Sequence, residues 1–272
     1  MTAAQIERAP RQGGARRESL GLAVDLLSKR LAVSRAFVFD FYGTLAGDRV
    51  SVPPMWRVLN DLGYRSHPQL EAIFEPDGFD GSVTPRMGDH PGHGDWLRDN
   101  WRDFVSLSGV RPGEVDTVLA YLLASRDRYR ACPLPGAKEL LSLLGEHGFR
   151  LGLCSNWESD IGPYLEQAEL PKFDVVVTSA MEGARKPHRA PFCAAATRLG
   201  LRPDEVIFVG DNWYADIAGS LRAGMTPIWI RNGRPSRDMP ELVSEFESVA
   251  QLGSTLATLL GTTSDPPSSL TT

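Results

Sequence analysis

The stretch AFVFDFYGTL, residues 36–45, contains a short apolar run that ends on an aspartate and leads into a glycine–threonine turn. The continuous hydrophobicity of residues 36–39 is typical of a strand buried on both faces of a parallel sheet. Ligands in such sheets bind beyond the carboxyl ends of the strands. Asp40, which ends this run, is therefore the first candidate for a functional residue.

Downstream of this run, apolar segments alternate with helical patterns. Further strands are predicted over residues 150–155, 174–178, 205–211 and 226–231, with helices over 139–148, 191–199 and 215–223. Continuous apolar strands separated by helices predict a parallel sheet with helices on both faces. We therefore expect an α/β fold with a Rossmann-like parallel sheet as its core.

One long stretch interrupts this alternation. Residues 47–133 contain helical patterns but no convincing buried strand, and they begin immediately after the first strand. This predicts a helical cap inserted into the core, which then comprises residues 18–46 and 134–260.

The two ends of the chain differ from the core in composition. Residues 1–17 and 261–272 are polar and are predicted to be a disordered leader and a disordered tail. Between the leader and the first strand, residues 18–33 have a helical apolar stripe, which predicts an accessory helix packed on the core. The stripe consists of Leu20, Val24, Leu27 and Leu31.

Composition and charge narrow the class of protein. The 272 residues are 42% hydrophobic and carry a net charge of −5, so no basic surplus exists to bind a nucleic-acid backbone. No apolar run approaches the roughly 18 residues that cross a bilayer, and the N-terminus lacks the apolar segment of a secretory signal. Three scattered cysteines argue for a reducing compartment. We expect a cytoplasmic protein without a nucleic-acid or membrane partner.

Polar residues stand at the carboxyl ends of four predicted strands or in the loops that follow them. They are Asp40 and Thr44, then Ser155 and Asn156, then Lys186, and finally Asp211 and Asp216. Each has an ordinary explanation alone, such as a helix cap or a solvated loop residue. Together, three carboxylates, a hydroxyl and an ammonium at one sheet edge provide oxygen ligands for Mg²⁺ and positive charge for a phosphoryl group. The set therefore favours a catalytic site.

The order FDxxGTL, SN, KP and GDxxxxD resembles the four signature motifs of the haloacid dehalogenase superfamily. Flanking segments are similar to its phosphatase-rich branch with a helical cap after the first strand, and the resemblance covers roughly residues 35–260. It implies that Asp40 is a nucleophile carrying a covalent intermediate. It also implies that Thr44 and Ser155 bind the transferring group, with Asn156 in the same motif, and that Lys186 neutralises charge.

The same resemblance implies a magnesium site and a substrate class. Mg²⁺ would be bound by Asp40, the backbone carbonyl of Tyr42 and Asp211, with Asp216 acting through water or Lys186. The substrate would be a small phosphorylated metabolite.

Tyr42 departs from the phosphatase pattern of this superfamily. Its phosphatases usually have a second aspartate two residues after the nucleophile, which acts as general acid and base. Such a group contributes on the order of 10²–10⁴ in rate. Without it, we expect a phosphatase to prefer activated leaving groups, such as those of acyl phosphates or phosphoanhydrides, or to take the proton from another group.

Two alternatives remain open on the same residues. FDxYGTL also resembles the 2-haloacid dehalogenases of the superfamily, in which halide leaves without a proton. Against that interpretation, those enzymes have a serine where this chain has Asp211, and they use no metal. The other alternative is a catalytically weak relative that serves as a scaffold or binding protein, which Tyr42 alone motivates. The retained acids favour metal-dependent phosphoryl chemistry over both.

Overall fold

The computed structural model of the chain describes residues 21, 24–48, 55–65, 101–126, 129–157, 160–236 and 240–261. The predicted leader and residues 262–272 of the predicted tail lie outside the described residues, as does much of the predicted cap.

A six-stranded parallel sheet forms the core. Its strands are β1 (Ala36–Phe39), β4 (Arg150–Ser155), β5 (Val175–Thr178), β6 (Val206–Gly210), β7 (Thr226–Ile230) and β8 (Ser244–Phe246). Their order across the sheet is β5-β4-β1-β6-β7-β8. The predicted α/β fold with a Rossmann-like sheet is confirmed.

The central strand β1 is fully buried because helices cover both faces of the sheet. Successive side chains of a strand point to opposite faces. Phe37 and Phe39 accordingly pack with the helices Ala137–Glu146 and Val249–Gly261 on one face. Val38 packs on the other face with the helix Arg189–Arg198. The apolar run of β1 therefore supplies both halves of the core.

Helices occupy much of the remaining described chain. They cover residues 24–31, Met55–Asp61, 101–107, Val115–Arg126, Ala137–Glu146, Gly162–Gln167, Ser179–Glu182, Arg189–Arg198, Gly219–Ala223 and Val249–Gly261, with a 3₁₀ turn at Pro203–Glu205. A π-helical turn, Trp213–Ala218, precedes Gly219–Ala223, so the helix predicted over residues 215–223 has two geometries.

Two short strands form a separate antiparallel ribbon, β2 (Ala46–Asp48) with β3 (Ala131–Pro133). The sequence predicts no convincing buried strand over residues 47–133, and these two short strands at the ends of that range are each only partly buried. Three-residue strands containing a glycine or a proline carry no apolar run, so no hydrophobic pattern marks them. The two strands of the ribbon pair only with each other, and neither belongs to the six-stranded sheet.

The helices between β2 and β3 have an apolar cluster of their own. It joins Met55–Asp61, residues 101–107 and Val115–Arg126 through the buried side chains of Val58, Leu59, Trp101, Val105, Val118, Leu119 and Leu122. No strand of the six-stranded sheet contributes to this cluster. The described part of the segment thus has the helical character that was expected, while residues 66–100 lie outside the described ranges.

The accessory helix is present over residues 24–31. Leu27 is 1% exposed within the main core cluster, and Leu31 packs against that cluster. The predicted docking of this helix on the core is thus confirmed for these two side chains, and Leu20 lies outside the described residues. None of the helices in the described ranges has both the length and the apolarity needed to cross a membrane.

Candidate active site

Asp40 lies immediately beyond β1, with only 7% of its surface exposed. Its backbone N–H donates to the Val209 carbonyl (2.9 Å), which ties the start of the turn to β6. Its Oδ1 accepts hydrogen bonds from Ser155 Oγ (3.0 Å) and Lys186 Nζ (2.7 Å). Ser155 reaches Asp40 because β4, which it ends, pairs directly with β1.

Lys186 is buried beneath Asp40 and makes a second ion pair. Its Nζ lies 2.6 Å from Asp216 Oδ1 and donates to the Cys154 carbonyl (2.8 Å). Burial alone would lower the pKa of Lys186, but Asp216 and Asp40 outweigh it, so the pKa of the ammonium is raised above its ordinary value. Lys186 is therefore a permanent positive charge in the site.

Asn156 fixes the loop that carries Lys186. Its Nδ2 donates to the Lys186 carbonyl (3.0 Å), and its Oδ1 accepts from the Lys186 N–H (2.7 Å). This two-way contact holds the backbone of Lys186 next to the end of β4. The structure thus assigns Asn156 contacts to a backbone, whereas Ser155 contacts the carboxylate of Asp40.

Three buried carboxylates converge at this edge of the sheet. Oxygens of Asp40, Asp211 and Asp216 lie within 4.8 Å of one another. Burial and the charge of Asp40 raise the pKa of Asp211. Burial also raises the pKa of Asp216, although the nearby charge of Lys186 acts to lower it. Three carboxylates at this separation provide oxygen ligands and carry more negative charge than Lys186 neutralises, and this combination suits a hard divalent cation. The residues present therefore fit Mg²⁺.

Glycines allow the turns to approach these acids closely. Gly43 has φ 85°, and a Cβ built there would lie 2.7 Å from Asp211 Oδ2. A Cβ on Gly210 would lie 2.4 Å from the Cβ of Asp216. Neither position can take a side chain unless an acid moves.

Thr44 is fully buried at the same turn. Its Oγ1 lies 3.4 Å from Asp211 Oδ1, a long hydrogen bond. The predicted Thr44 is thus part of the site and borders one of the carboxylates. We use the name charged floor for Asp40, Ser155, Lys186, Asp211 and Asp216.

The side chain of Tyr42 is 49% exposed and has no hydrogen bond to the charged floor in the described part of the chain. Its hydroxyl donates to Asp48 Oδ2 (2.9 Å) at the end of β2. Partial burial, followed by this hydrogen bond, raises the pKa of Tyr42 to about 12. The phenol therefore holds its proton more tightly than a free tyrosine does, which is the opposite of what a general acid needs.

A series of aromatic rings extends from Tyr42 to the residues before β3 and to the segment after β4. Ring centroids lie 6.0 Å apart for Tyr42 and Tyr129, 6.0 Å for Tyr129 and Trp157, and 5.1 Å for Trp157 and Tyr164. Trp157 also contacts Phe41, the residue after the nucleophile (5.5 Å). We call Tyr42, Tyr129, Trp157 and Tyr164 the aromatic wall.

The hydroxyl of Tyr129 is a buried polar atom without a hydrogen-bond partner in the described part of the chain. The residue is 8% exposed, and burial raises the pKa of its phenol. The hydroxyl therefore stays protonated and keeps an unused donor within the aromatic wall.

Three residues near Asp211 and its neighbouring turn were missed from the sequence, and all belong to β7 or the loop after it. Trp229 Nε1 donates to the Asp211 carbonyl (3.0 Å). Asn232 Nδ2 donates to the Gly43 carbonyl (2.6 Å), and Arg234 Nη2 donates to Asp211 Oδ2 (2.9 Å). The last two follow the carboxyl end of the strand predicted over residues 226–231, so the rule that located the other candidates also points to them.

Comparisons with known proteins agree with this geometry. A family model described as haloacid dehalogenase-like hydrolase matches residues 34–224. The glyceraldehyde 3-phosphate phosphatase of Methanopyrus kandleri is 35% identical over 153 residues, which cover 53% of this chain and 60% of that enzyme. Less than two thirds of that relative is therefore matched.

Two solved structures share the fold. A putative β-phosphoglucomutase from Bacteroides vulgatus has a TM-score of 0.59 at 18% identity, over 91% of this chain and 100% of that one. A 2-haloacid dehalogenase from Pseudomonas syringae pv. tomato has a TM-score of 0.56 at 21% identity, over 83% and 99%. The family match spans most of the chain and includes every residue of the charged floor. The chain therefore belongs to the haloacid dehalogenase-like hydrolase family.

Proposed function

We propose that the protein is a magnesium-dependent phosphatase that acts on a small phosphorylated metabolite, with Asp40 as the nucleophile. The observation that carries the proposal is the charged floor, in which Lys186 and Ser155 hold Asp40 and two further carboxylates lie within 4.8 Å. The phosphatase named among the relatives supports the same chemistry.

The contacts of Asp40 suggest how the attack proceeds. Ser155 and Lys186 both bind Oδ1, which fixes the carboxylate and leaves the attack on phosphorus to Oδ2. The bond from phosphorus to the leaving oxygen breaks as the bond to Asp40 forms, which gives an aspartyl phosphate. Attack by water on that phosphorus then releases inorganic phosphate and returns Asp40 as a carboxylate.

Asp40, the Tyr42 carbonyl and Asp211 would hold the magnesium ion, with Asp216 beside them. When bound, the ion supplies positive charge that reduces the repulsion between the Asp40 carboxylate and the anionic phosphate. Lys186 contributes a further positive charge through its ion pairs with Asp40 and Asp216. Burial of the charged floor strengthens each of these interactions because water is largely excluded.

The leaving group is where this chain differs from a typical phosphatase of its family. The phenol of Tyr42 has a raised pKa, and its hydroxyl donates a hydrogen bond to Asp48. It is therefore poorly suited to protonate a departing alkoxide. We infer a preference for phosphates whose leaving group is a weak base, such as acyl phosphates or phosphoanhydrides. The aromatic wall, which adjoins Asp40 through Phe41 and Tyr42, would border that leaving group.

Dehalogenation of a 2-haloacid is the second candidate, and Tyr42 is the residue that favours it. The same carboxylate would attack carbon and expel halide, which needs no proton. Lys186 and Arg234 supply two positive charges for three buried carboxylates, and the excess negative charge argues against a reaction that uses no cation, since the carboxylates repel one another.

A substrate panel separates these functions. Acyl phosphates, alkyl phosphates, a phosphoanhydride and 2-haloacids are assayed for phosphate and halide release, with Mg²⁺ and with EDTA. We expect phosphate release that EDTA abolishes and added Mg²⁺ restores, and that Asp211→Asn abolishes. Halide release in EDTA would establish the dehalogenase instead, and no turnover of any compound would identify a binding protein.

We also infer the setting in which the enzyme works. Its three cysteines are free thiols, and its net charge is −5, which supports a cytoplasmic enzyme that acts on a small molecule rather than on nucleic acid or a membrane. We infer further that residues 47–133 form the cap that selects the substrate, since the described helices in that range pack around their own cluster.

A further inference from the structure

The loop after β7 contacts the acidic site at two points. Arg234 donates from Nη1 to the Asp211 carbonyl oxygen (2.7 Å) and from Nη2 to Asp211 Oδ2 (2.9 Å). Two residues earlier, Asn232 Nδ2 donates to the carbonyl of Gly43 in the nucleophile turn (2.6 Å). The loop thus connects the turn after Asp40 with the acid that follows β6.

This loop is anchored at its base, so the position of Arg234 is a property of the fold. Arg231 forms ion pairs with Glu245 (3.6 Å) and Glu247. The backbone N–H of Gly233 donates to Glu247 Oε1 (2.7 Å), and that of Asn232 donates to the Glu247 carbonyl (3.0 Å). The guanidinium of Arg234 is half-exposed, but the backbone that carries it is fixed to β8 and the residue after it.

All three buried carboxylates of the site have an ion-pair partner only when Arg234 is counted with Lys186. Lys186 pairs with Asp40 and Asp216. Arg234 pairs with Asp211, the remaining acid of the three. Each carboxylate therefore has a cationic partner supplied by the protein, although the charged floor itself contains a single lysine.

We propose that Arg234 is a built-in counter-ion that balances Asp211 when no metal is bound and that opposes the binding of Mg²⁺, thereby setting its affinity. The inference rests on the proposed function, which requires that metal. The guanidinium of Arg234 is positively charged, and a positive charge on a ligand carboxylate repels an arriving dication. Because the guanidinium holds Oδ2, the metal is left with Oδ1, the oxygen beside Thr44. Arg234 is thus a positioning residue for Asp211.

The test measures metal affinity directly, without substrate. Mg²⁺ binding is followed by isothermal titration calorimetry at low ionic strength in the wild type, Arg234→Gln and Arg234→Lys. We expect Arg234→Gln to bind Mg²⁺ at least about tenfold more tightly, which is the scale of removing a unit charge about 4–6 Å from a doubly charged ion in a largely aqueous dielectric. Added salt should reduce this difference because it screens the charge of the half-exposed guanidinium. Arg234→Lys should stay close to the wild type.

Arg202→Gln is the matched control, because it removes the same charge from an exposed pair with Asp204. It should leave the Mg²⁺ affinity unchanged. In EDTA, Arg234→Gln should melt at a lower temperature than Arg202→Gln, and Mg²⁺ should raise its Tm by more than it raises the Tm of the control. This melting curve also reports whether the variant is folded.

The outcomes separate this inference from the function on which it rests. Mg²⁺ binding in the wild type, with an equal or weaker affinity in folded Arg234→Gln, overturns the counter-ion role alone. A wild type that binds no Mg²⁺ overturns the proposed function, and the inference with it. If Arg234→Gln does not fold, an Mg²⁺ affinity of Arg234→Lys that differs strongly from that of the wild type overturns the inference.

Discussion

The charged floor and the aromatic wall both adjoin Asp40, but they are held by different interactions. In the floor, Asp40, Ser155, Lys186 and Asp216 contact one another through directional ion pairs and hydrogen bonds of 2.6–3.0 Å. Wall residues contact one another through rings whose centroids are 5.1–6.0 Å apart, and one hydroxyl among them has no partner in the described chain. A hydrogen bond or ion pair is lost when one of its atoms is replaced, whereas packed rings tolerate replacement by another side chain of similar volume. The floor should therefore determine whether the reaction occurs, and the wall should determine which leaving group is accepted.

The sharpest test of this comparison is Asp40→Asn in the floor. An amide is not a nucleophile toward phosphorus, so we expect phosphate release to fall by at least about 10⁴-fold. Lys186 keeps its ion pair with Asp216, so the variant should still fold. Single-turnover assays with matched circular dichroism spectra measure both effects. Residual turnover within tenfold of the wild type would mean that another group attacks.

Tyr42→Asp changes the wall at its boundary with the floor. The new carboxylic acid can protonate a departing alkoxide, so the rate on alkyl phosphates should rise relative to that on acyl phosphates, by up to about 10²-fold. Rates over a series of phosphates with leaving groups of graded pKa measure this change. Tyr42→Phe is the control and should leave the series unaltered. A wild type that already hydrolyses alkyl phosphates as fast as acyl phosphates would show that the proton comes from elsewhere.

The smallest effect is expected from Tyr129→Phe, deep in the wall. A buried hydroxyl without a partner is destabilising, so its removal should raise the free energy of unfolding by about 1 kcal/mol. The equivalent deletion in the floor, Ser155→Ala, removes a hydrogen bond to Asp40 and should reduce kcat. Urea unfolding and steady-state kinetics on both variants give the comparison. A loss of stability in Tyr129→Phe would mean that the hydroxyl is hydrogen-bonded, for instance to water.

The two regions also differ in how far they could be predicted from the sequence. The floor residues follow strands that are recognisable as apolar runs, so the amino-acid pattern alone predicts that they converge at one sheet edge. Tyr129 and Trp157 lie in connecting segments without periodicity, and their contact depends on how the residues before β3 pack against the segment after β4. Arg234 follows the carboxyl end of a predicted strand, as the floor residues do, but its contact with Asp211 depends on the path of a loop anchored by Glu247, which no sequence pattern gives.

The same physical limit applies to the fold. Five of the six sheet strands were predicted because each is an apolar run of four residues or more, with a helix between successive runs. The sixth, Ser244–Phe246, has three residues with a glutamate at its centre, too short for a pattern. The ribbon strands are equally short, and their pairing brings together residues that are far apart in the chain.

That ribbon has a consequence for how such a protein can be remodelled. Ala46 lies opposite Pro133 and Asp48 opposite Ala131, so the two strands that flank residues 49–130 in the sequence lie side by side. Paired strands bring facing residues to within ~5 Å of each other. A foreign segment whose own ends lie equally close could be spliced in without altering the length or direction of any strand in the sheet. We therefore expect the sheet with its charged floor to accept a different inserted segment. A chimera joined at Asp48 and Ala131 should keep the chemistry of this chain and adopt the substrate range of the protein that donates the segment.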